Sequence, residues 1–168
     1  MSTAEHKKAA PQSVVCMVIT VSDTRDETTD KSGQLMMQLL EQAGHQTALY
    51  QIVKDEPAEI TSAIEAGRRH PAVQVILLNG GTGISPRDTT YEAVQALLEK
   101  EMPGFGELFR MLSYQDDIGS AAMLSRAIAG TYRGKAIFST PGSTGAVRLA
   151  MEKLIIPELG HVVRELHK

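Results

Sequence analysis

The sequence has a single cysteine, Cys16, set in an apolar run, so no disulfide framework can form within the chain. It also lacks an excess of charge of either sign. Twenty acidic against 17 basic residues leave a formal net charge of -3, which gives no electrostatic footprint for nucleic acid. No apolar stretch is long enough to span a membrane, and the polar segment Met1–Gln12, with Pro11, has no signal-peptide core. A cytoplasmic protein with neither a nucleic-acid nor a membrane partner is therefore expected. Internal repeats, low-complexity tracts and linkers are absent as well. The 168 residues, 42% of them hydrophobic, then suit one domain over 13–168 behind a flexible N-terminal arm, 1–12.

Short apolar runs alternate with helical patterns. Val14–Val21, Thr47–Val53 and Val73–Leu78 read as strands, the first and third continuously apolar as in a parallel sheet covered on both faces. Between them, Asp30 is placed to cap a helix over Lys31–Ala43, with Leu35, Met36, Leu39 and Leu40 at helical spacing and Gly44 at its end. A second helix begins near Pro57. Thr89–Lys100 reads as a third, opened by a capping box of Thr89 and Glu92. Met102–Arg126 is read as helical. Ala127–Thr131 and Lys135–Thr140 flank Tyr132-Arg133-Gly134 as a possible antiparallel hairpin. A helix over Ala146–Leu154 is expected to be interrupted by Pro157 before a last short helix. The order specifies an α/β fold, with a mostly parallel sheet.

The segment Asn79-Gly80-Gly81-Thr82-Gly83-Ile84-Ser85-Pro86-Arg87-Asp88 lies between a buried strand and a helix. Its glycines let the backbone approach a ligand, and its amides, with the helix N-terminus behind them, favour bound phosphate. It has neither the Gly-Lys-Ser/Thr ending of a P-loop nor the spacing of the dinucleotide fingerprint. A purely structural glycine turn, with Asp88 a helix cap, fits the same residues. Pro141-Gly142-Ser143 repeats the strand–turn–helix arrangement, and two such turns on parallel strands open on one edge of the sheet. Asp23, Asp26 and Asp55 also follow strands. Carboxylates gathered at that edge would repel phosphate unless a cation such as Mg²⁺ lay between, although Asp is also a favoured loop and cap residue. The five histidines show no metal-ligand spacing and read as surface residues. Cys16, Met36, Met37, Met111 and Met123 read as core.

Several of these segments occur together in one family. Thr20-Val21-Ser22-Asp23, Asp30-Lys31-Ser32-Gly33, Asp55-Glu56, Gly80-Gly81-Thr82-Gly83 with Pro86-Arg87-Asp88, Met102-Pro103-Gly104-Phe105, Met123-Leu124-Ser125-Arg126 and Pro141-Gly142 follow in order. From about Val14 onward the chain resembles the MoaB/Mog family of molybdenum cofactor biosynthesis proteins. The short chain, ending soon after Pro157–Leu166, is most similar to the MoaB branch. The resemblance implies a three-layer αβα fold assembled as a homotrimer or homohexamer. It implies Mg²⁺-dependent adenylyl transfer from ATP to molybdopterin, giving adenylyl-molybdopterin and pyrophosphate. Asp55 and Asp88 take the catalytic and metal-holding places. Gly80, Gly81, Thr82 and Gly83, with Ser22 and Asp23, take the nucleotide and its phosphates. Ser125, Pro141, Gly142 and Ser143 take the pterin.

The chain departs from the family at Ser139-Thr140-Pro141-Gly142-Ser143-Thr144, where many relatives carry Asn-Met/Leu-Pro-Gly-Asn/Gln-Pro. Serine reaches less far than Asn or Gln. A non-catalytic molybdopterin- or nucleotide-binding protein of the same pathway is the alternative this departure favours. An unrelated nucleotide-binding module is a third.

Overall fold

A computed structural model describes residues 2–168. Six strands form one sheet in the order β2-β1-β3-β6-β5-β4. The strands are β1 (Val15–Val21), β2 (Gln46–Val53), β3 (Val75–Asn79), β4 (Lys100–Glu101), β5 (Ile128–Tyr132) and β6 (Lys135–Thr140). The first four in sheet order run parallel, while β5 is antiparallel to both β6 and β4. Sheet and helices make three layers, divided by the two-residue alternation of the strands. Cys16, Val18, Leu77 and Phe138 face a core shared with α2 (Lys31–Gln42), α5 (Pro103–Asp116), α6 (Thr144–Ala150) and α7 (Ile156–Leu166). Met17, Ile19, Leu78 and Ile137 face the opposite core, closed by α3 (Pro57–Arg69) and α4 (Thr90–Leu97). Because both faces are covered there, the inner strands β1 and β3 are nearly continuous apolar runs rather than alternating, whereas the edge strand β2 carries Gln46, Thr47 and Gln51.

The expected hairpin is present. Arg133 at φ 48° and Gly134 at φ 80° place both central residues in the left-handed region, the backbone of a tight turn matched to strand twist. The Asp30 carboxylate caps α2 by accepting the Gly33 N–H at 3.0 Å.

Four expectations are corrected. The Thr89–Glu92 capping box does not form: the Thr89 hydroxyl donates to Asp55, and Glu92 pairs with Arg126. The helix there stops at Leu97, because Lys100 and Glu101 are taken up as the edge strand β4. Pro157 does not interrupt the chain's last helical stretch. A π-helical turn, Met151–Ile155, precedes it and widens the ladder, so the proline's missing N–H and bulky ring are accommodated as α7 begins. Met111 and Met123 are 46% and 78% exposed rather than core, since α5 and the 3₁₀ turn Gly119–Leu124 lie over the sheet end with one side open. Separately from these, Thr3–Lys8 in the N-terminal arm form a helix, α1, which lies against α7 through His6–Glu165 and Lys7–Glu158 pairs.

Candidate functional site

Four strands end side by side at Val21, Val53, Asn79 and Thr140. The chain leaves β1 toward β2 on one side and returns to β3 on the other. Such a topological switch point opens a crevice at the strand carboxyl ends. A cleft of about 430 Å³ lies there, within the size range of small-ligand sites. Ser22, Asp55, Gly80, Gly81, Thr82, Gly83, Asp88, Ser125, Pro141, Gly142 and Ser143 all line it. Of the residues the sequence singled out at this edge, Asp23 and Asp26 stand outside the lining. The Asp23 carboxylate accepts the Asp55 N–H at 3.0 Å and is gripped by Arg87. The Arg87 guanidinium, and secondarily the Asp55 amide, hold the Asp23 carboxyl below its ordinary range.

A buried polar chain ties together the ends of β1 and β3 and the start of α2, outside the cleft lining. Asn79 Nδ2 donates to Thr20 Oγ1 at 2.9 Å, and Thr20 Oγ1 donates to Asp30 Oδ2 at 2.7 Å. Tyr50 OH donates to the same Asp30 oxygen at 2.5 Å. Burial first, and then Asp30, push the Tyr50 phenol upward, so it remains a donor. Gly33 is a glycine because a Cβ there would lie 2.1 Å from Asp30 Oδ2.

The glycine loop is shaped by its neighbours. Gly80 (φ 101°) and Gly81 (φ 69°) occupy the left-handed region. A Cβ on Gly81 would stand 2.2 Å from Thr90 Oγ1 and 2.8 Å from Asp55 Oδ2. The N–H groups of Gly81, Thr82 and Gly83 make no hydrogen bond to the protein among the described residues, and those of Gly142 and Ser143 make none either. Consecutive free amides of this kind form an anion-binding concavity. Arg126 buttresses the loop from outside the cleft, donating from Nε to the Gly83 carbonyl at 2.9 Å and from Nη2 to that of Asp88 at 3.0 Å.

Both site aspartates are half used. Asp55 Oδ1 accepts the Thr89 N–H and hydroxyl, and Asp88 Oδ2 accepts the Ser85 N–H at 3.0 Å. Asp55 Oδ2 and Asp88 Oδ1 make no hydrogen bond among the described residues. Two hard, anionic oxygens beside a loop of unengaged amides are donors of the kind that could hold Mg²⁺.

At the other end, Ser125 Oγ is buried without a hydrogen-bond partner. Ser143 Oγ already accepts the Ala146 N–H as the cap of α6, so only its proton is left to offer a ligand. Ser139 and Thr140 are fully buried at the end of β6, so the departure from the family pattern is partly inside the sheet.

Sequence reasoning missed Arg25, which lines the cleft, donates from Nη2 to the Gly142 carbonyl at 2.9 Å and leaves Nη1 without a hydrogen bond, 3.7 Å from Asp30. Its position in a polar loop carried no signal. Phe109, Ser113, Asp117 and Ile118 were missed too, because the α5 wall is distant in sequence from every loop motif.

A family model described as a probable molybdopterin binding domain matches residues 17–161. A molybdenum cofactor biosynthesis protein B of Bacillus cereus is 62% identical over 168 residues, spanning 100% of this chain and 99% of the relative. A crystal structure of a molybdenum cofactor biosynthesis protein B superposes with a TM-score of 0.92 at 62% identity, covering 94% of this chain and 98% of the other. The tungsten cofactor synthesizing protein MoaB of Pyrococcus furiosus superposes with a TM-score of 0.85 at 36% identity, over 95% and 100% of the two chains. With the matched domain over most of its length and full-length similarity of this degree, the chain belongs to the family of molybdenum cofactor biosynthesis protein B.

Proposed function

We propose that the chain serves molybdenum cofactor biosynthesis and that its cleft carries adenylyl transfer from ATP to molybdopterin, giving adenylyl-molybdopterin and pyrophosphate. The observation that carries this reading is the meeting, in one cleft, of two aspartates with an unengaged carboxylate oxygen each and a loop of unengaged amides. In the reaction, an oxygen of molybdopterin forms a bond to the α-phosphorus of ATP as the bond to pyrophosphate breaks. Little covalent help is needed; positioning and charge stabilisation dominate. The amides of Gly81, Thr82 and Gly83 hold phosphate oxygens, and Asp55 and Asp88 hold Mg²⁺. When bound, Mg²⁺ neutralises charge gathering on the transferring and leaving phosphates. Ser125 Oγ and the Pro141–Ser143 turn orient the pterin.

The same reading assembles the chain as a homotrimer or homohexamer. Its support is the set of exposed apolar residues Leu108, Met111, Tyr114, Ile118, Met123 and Leu124 on α5, the 3₁₀ turn and the link between them.

A second reading, a molybdopterin or nucleotide binder without turnover, is favoured by one observation: Ser143, in the turn that departs from the family pattern, has its oxygen occupied by the α6 cap. Incubation of the protein with molybdopterin, ATP and Mg²⁺ tests the two. Adenylylated product supports the enzyme; bound ligand without product supports the binder.

A further inference from the structure

Away from the cleft, α1 meets α7 on the opposite side of the molecule through an unusual set of side chains. His6 Nδ1 lies 2.7 Å from Glu165 Oε1, and His161 Nε2 lies 3.8 Å from the same oxygen. One ligand atom from each of His6, His161 and Glu165 lies within 4.8 Å of the others. The two imidazoles are mostly sheltered, at 15% and 23% exposure. His161 and Glu165 are four residues apart on α7, so they project from one helical face, and His6 closes the group from α1.

We propose that His6, His161 and Glu165 bind a divalent transition-metal ion, with Zn²⁺ the fitting species, that fastens α1 to α7. Two imidazoles and a carboxylate are a known zinc donor set, with water in the fourth position. A neutral imidazole coordinates only through the nitrogen that carries no proton. Glu158 Oε2, 2.9 Å from His161 Nδ1, holds the proton on that nitrogen and turns the Nε2 lone pair toward Glu165. A carboxylate behind a ligand histidine in this way fixes its tautomer and orients its ring. Tetrahedral ligands about 2.0–2.1 Å from zinc stand about 3.3 Å apart, so ion entry spreads the His6–Glu165 pair slightly and draws His161 inward. Arg164 and Lys168, 3.8 and 3.6 Å from Glu165, are the cations the ion competes with.

The fold has a use for such a tie. The six-residue α1 has no fully buried residue and is too short to be stable alone. The segment just beyond α1 is nonetheless closely seated: a Cβ on Gly160 would stand 2.4 Å from the Pro11 carbonyl oxygen. A metal bound across His6 and His161 adds to the hold that the Lys7–Glu158 pair provides.

The test is calorimetric titration of the full chain with Zn²⁺ in buffer containing Mg²⁺, beside melting temperature with and without zinc. The expected result is one Zn²⁺ per chain at micromolar concentration and a raised melting temperature. Both are lost in His6→Ala and His161→Ala, and affinity is about 10- to 100-fold weaker in Glu158→Gln. Asp55→Asn should bind the zinc as wild type does, separating this site from the cleft. His6 lies on the outer arm, so its variant keeps the fold, and circular dichroism confirms that. No stoichiometric zinc in wild type, zinc retained in both histidine variants, or binding without a rise in melting temperature overturns the proposal.

Discussion

The carboxylate of Asp55 accepts both the backbone N–H and the hydroxyl of Thr89, at 3.0 and 2.8 Å, and so joins the end of β2 to the start of α4 across the mouth of the cleft. The bond fixes Asp55 through one oxygen and leaves the other toward Gly81. Asp55→Asn can keep the amide oxygen on Thr89 while removing the charge from the free position. Asp88→Asn can likewise keep its bond from the Ser85 N–H. Both variants are expected to lose adenylyl transfer by about 100-fold or more, the scale of losing a group that stabilises developing charge, with pterin affinity and melting temperature close to wild type. Rate, affinity and melting curves on each variant check this; loss of fold together with activity would make both residues structural only.

Gly81→Val is expected to destabilise the protein as well as abolish nucleotide binding. The left-handed φ alone costs a side-chain-bearing residue about 1–2 kcal/mol, and the new Cβ strikes Thr90 and Asp55. Thermal melts of Gly81→Ala and Gly81→Val should show a graded fall, and an unchanged melting temperature in both contradicts the geometry.

Acid sensitivity should trace in part to His45. Its Nδ1 accepts the Val14 N–H at 3.0 Å, and burial holds its pKa below the ordinary 6.5. The unfolded chain therefore takes up a proton first. The stability contributed is whole above pH 6.5 and is lost as pH falls toward the lower folded value. His45→Gln keeps an acceptor for Val14 but does not titrate. Its melting temperature should fall less steeply than that of wild type below that pH; parallel curves would remove His45 from the account.

Assembly is testable at the exposed α5 face. Light scattering at micromolar concentration should give a trimer or hexamer mass, and Met111→Glu with Met123→Glu should shift it toward monomer, since charge on that surface opposes apolar burial. A wild-type monomer would sink the assembly proposal.

Much of this architecture was legible along the chain because its signals are local. Continuous apolar runs marked β1 and β3 as doubly covered strands, Asp30 marked the start of α2, and the glycines marked the loop at the switch point. What sequence could not show depends on partners far apart in the chain. Thr89 has the spacing of a cap, yet Asp55, 34 residues away, takes its hydroxyl. Glu92 is claimed by Arg126, also 34 residues distant. Arg25 enters the cleft only because the Pro141 turn is brought to β1. The histidines looked scattered, and only the packing of α1 on α7 sets His6 beside His161 and Glu165.

The measurement closest to the central claim is product formation by the wild-type protein with molybdopterin, ATP and Mg²⁺, read as adenylyl-molybdopterin and pyrophosphate in equal amounts. The account predicts both products, their loss when Mg²⁺ is chelated, and their suppression in Asp55→Asn and Asp88→Asn while pterin still binds. Bound molybdopterin and ATP with no product from wild type, or full turnover in both variants, would contradict it.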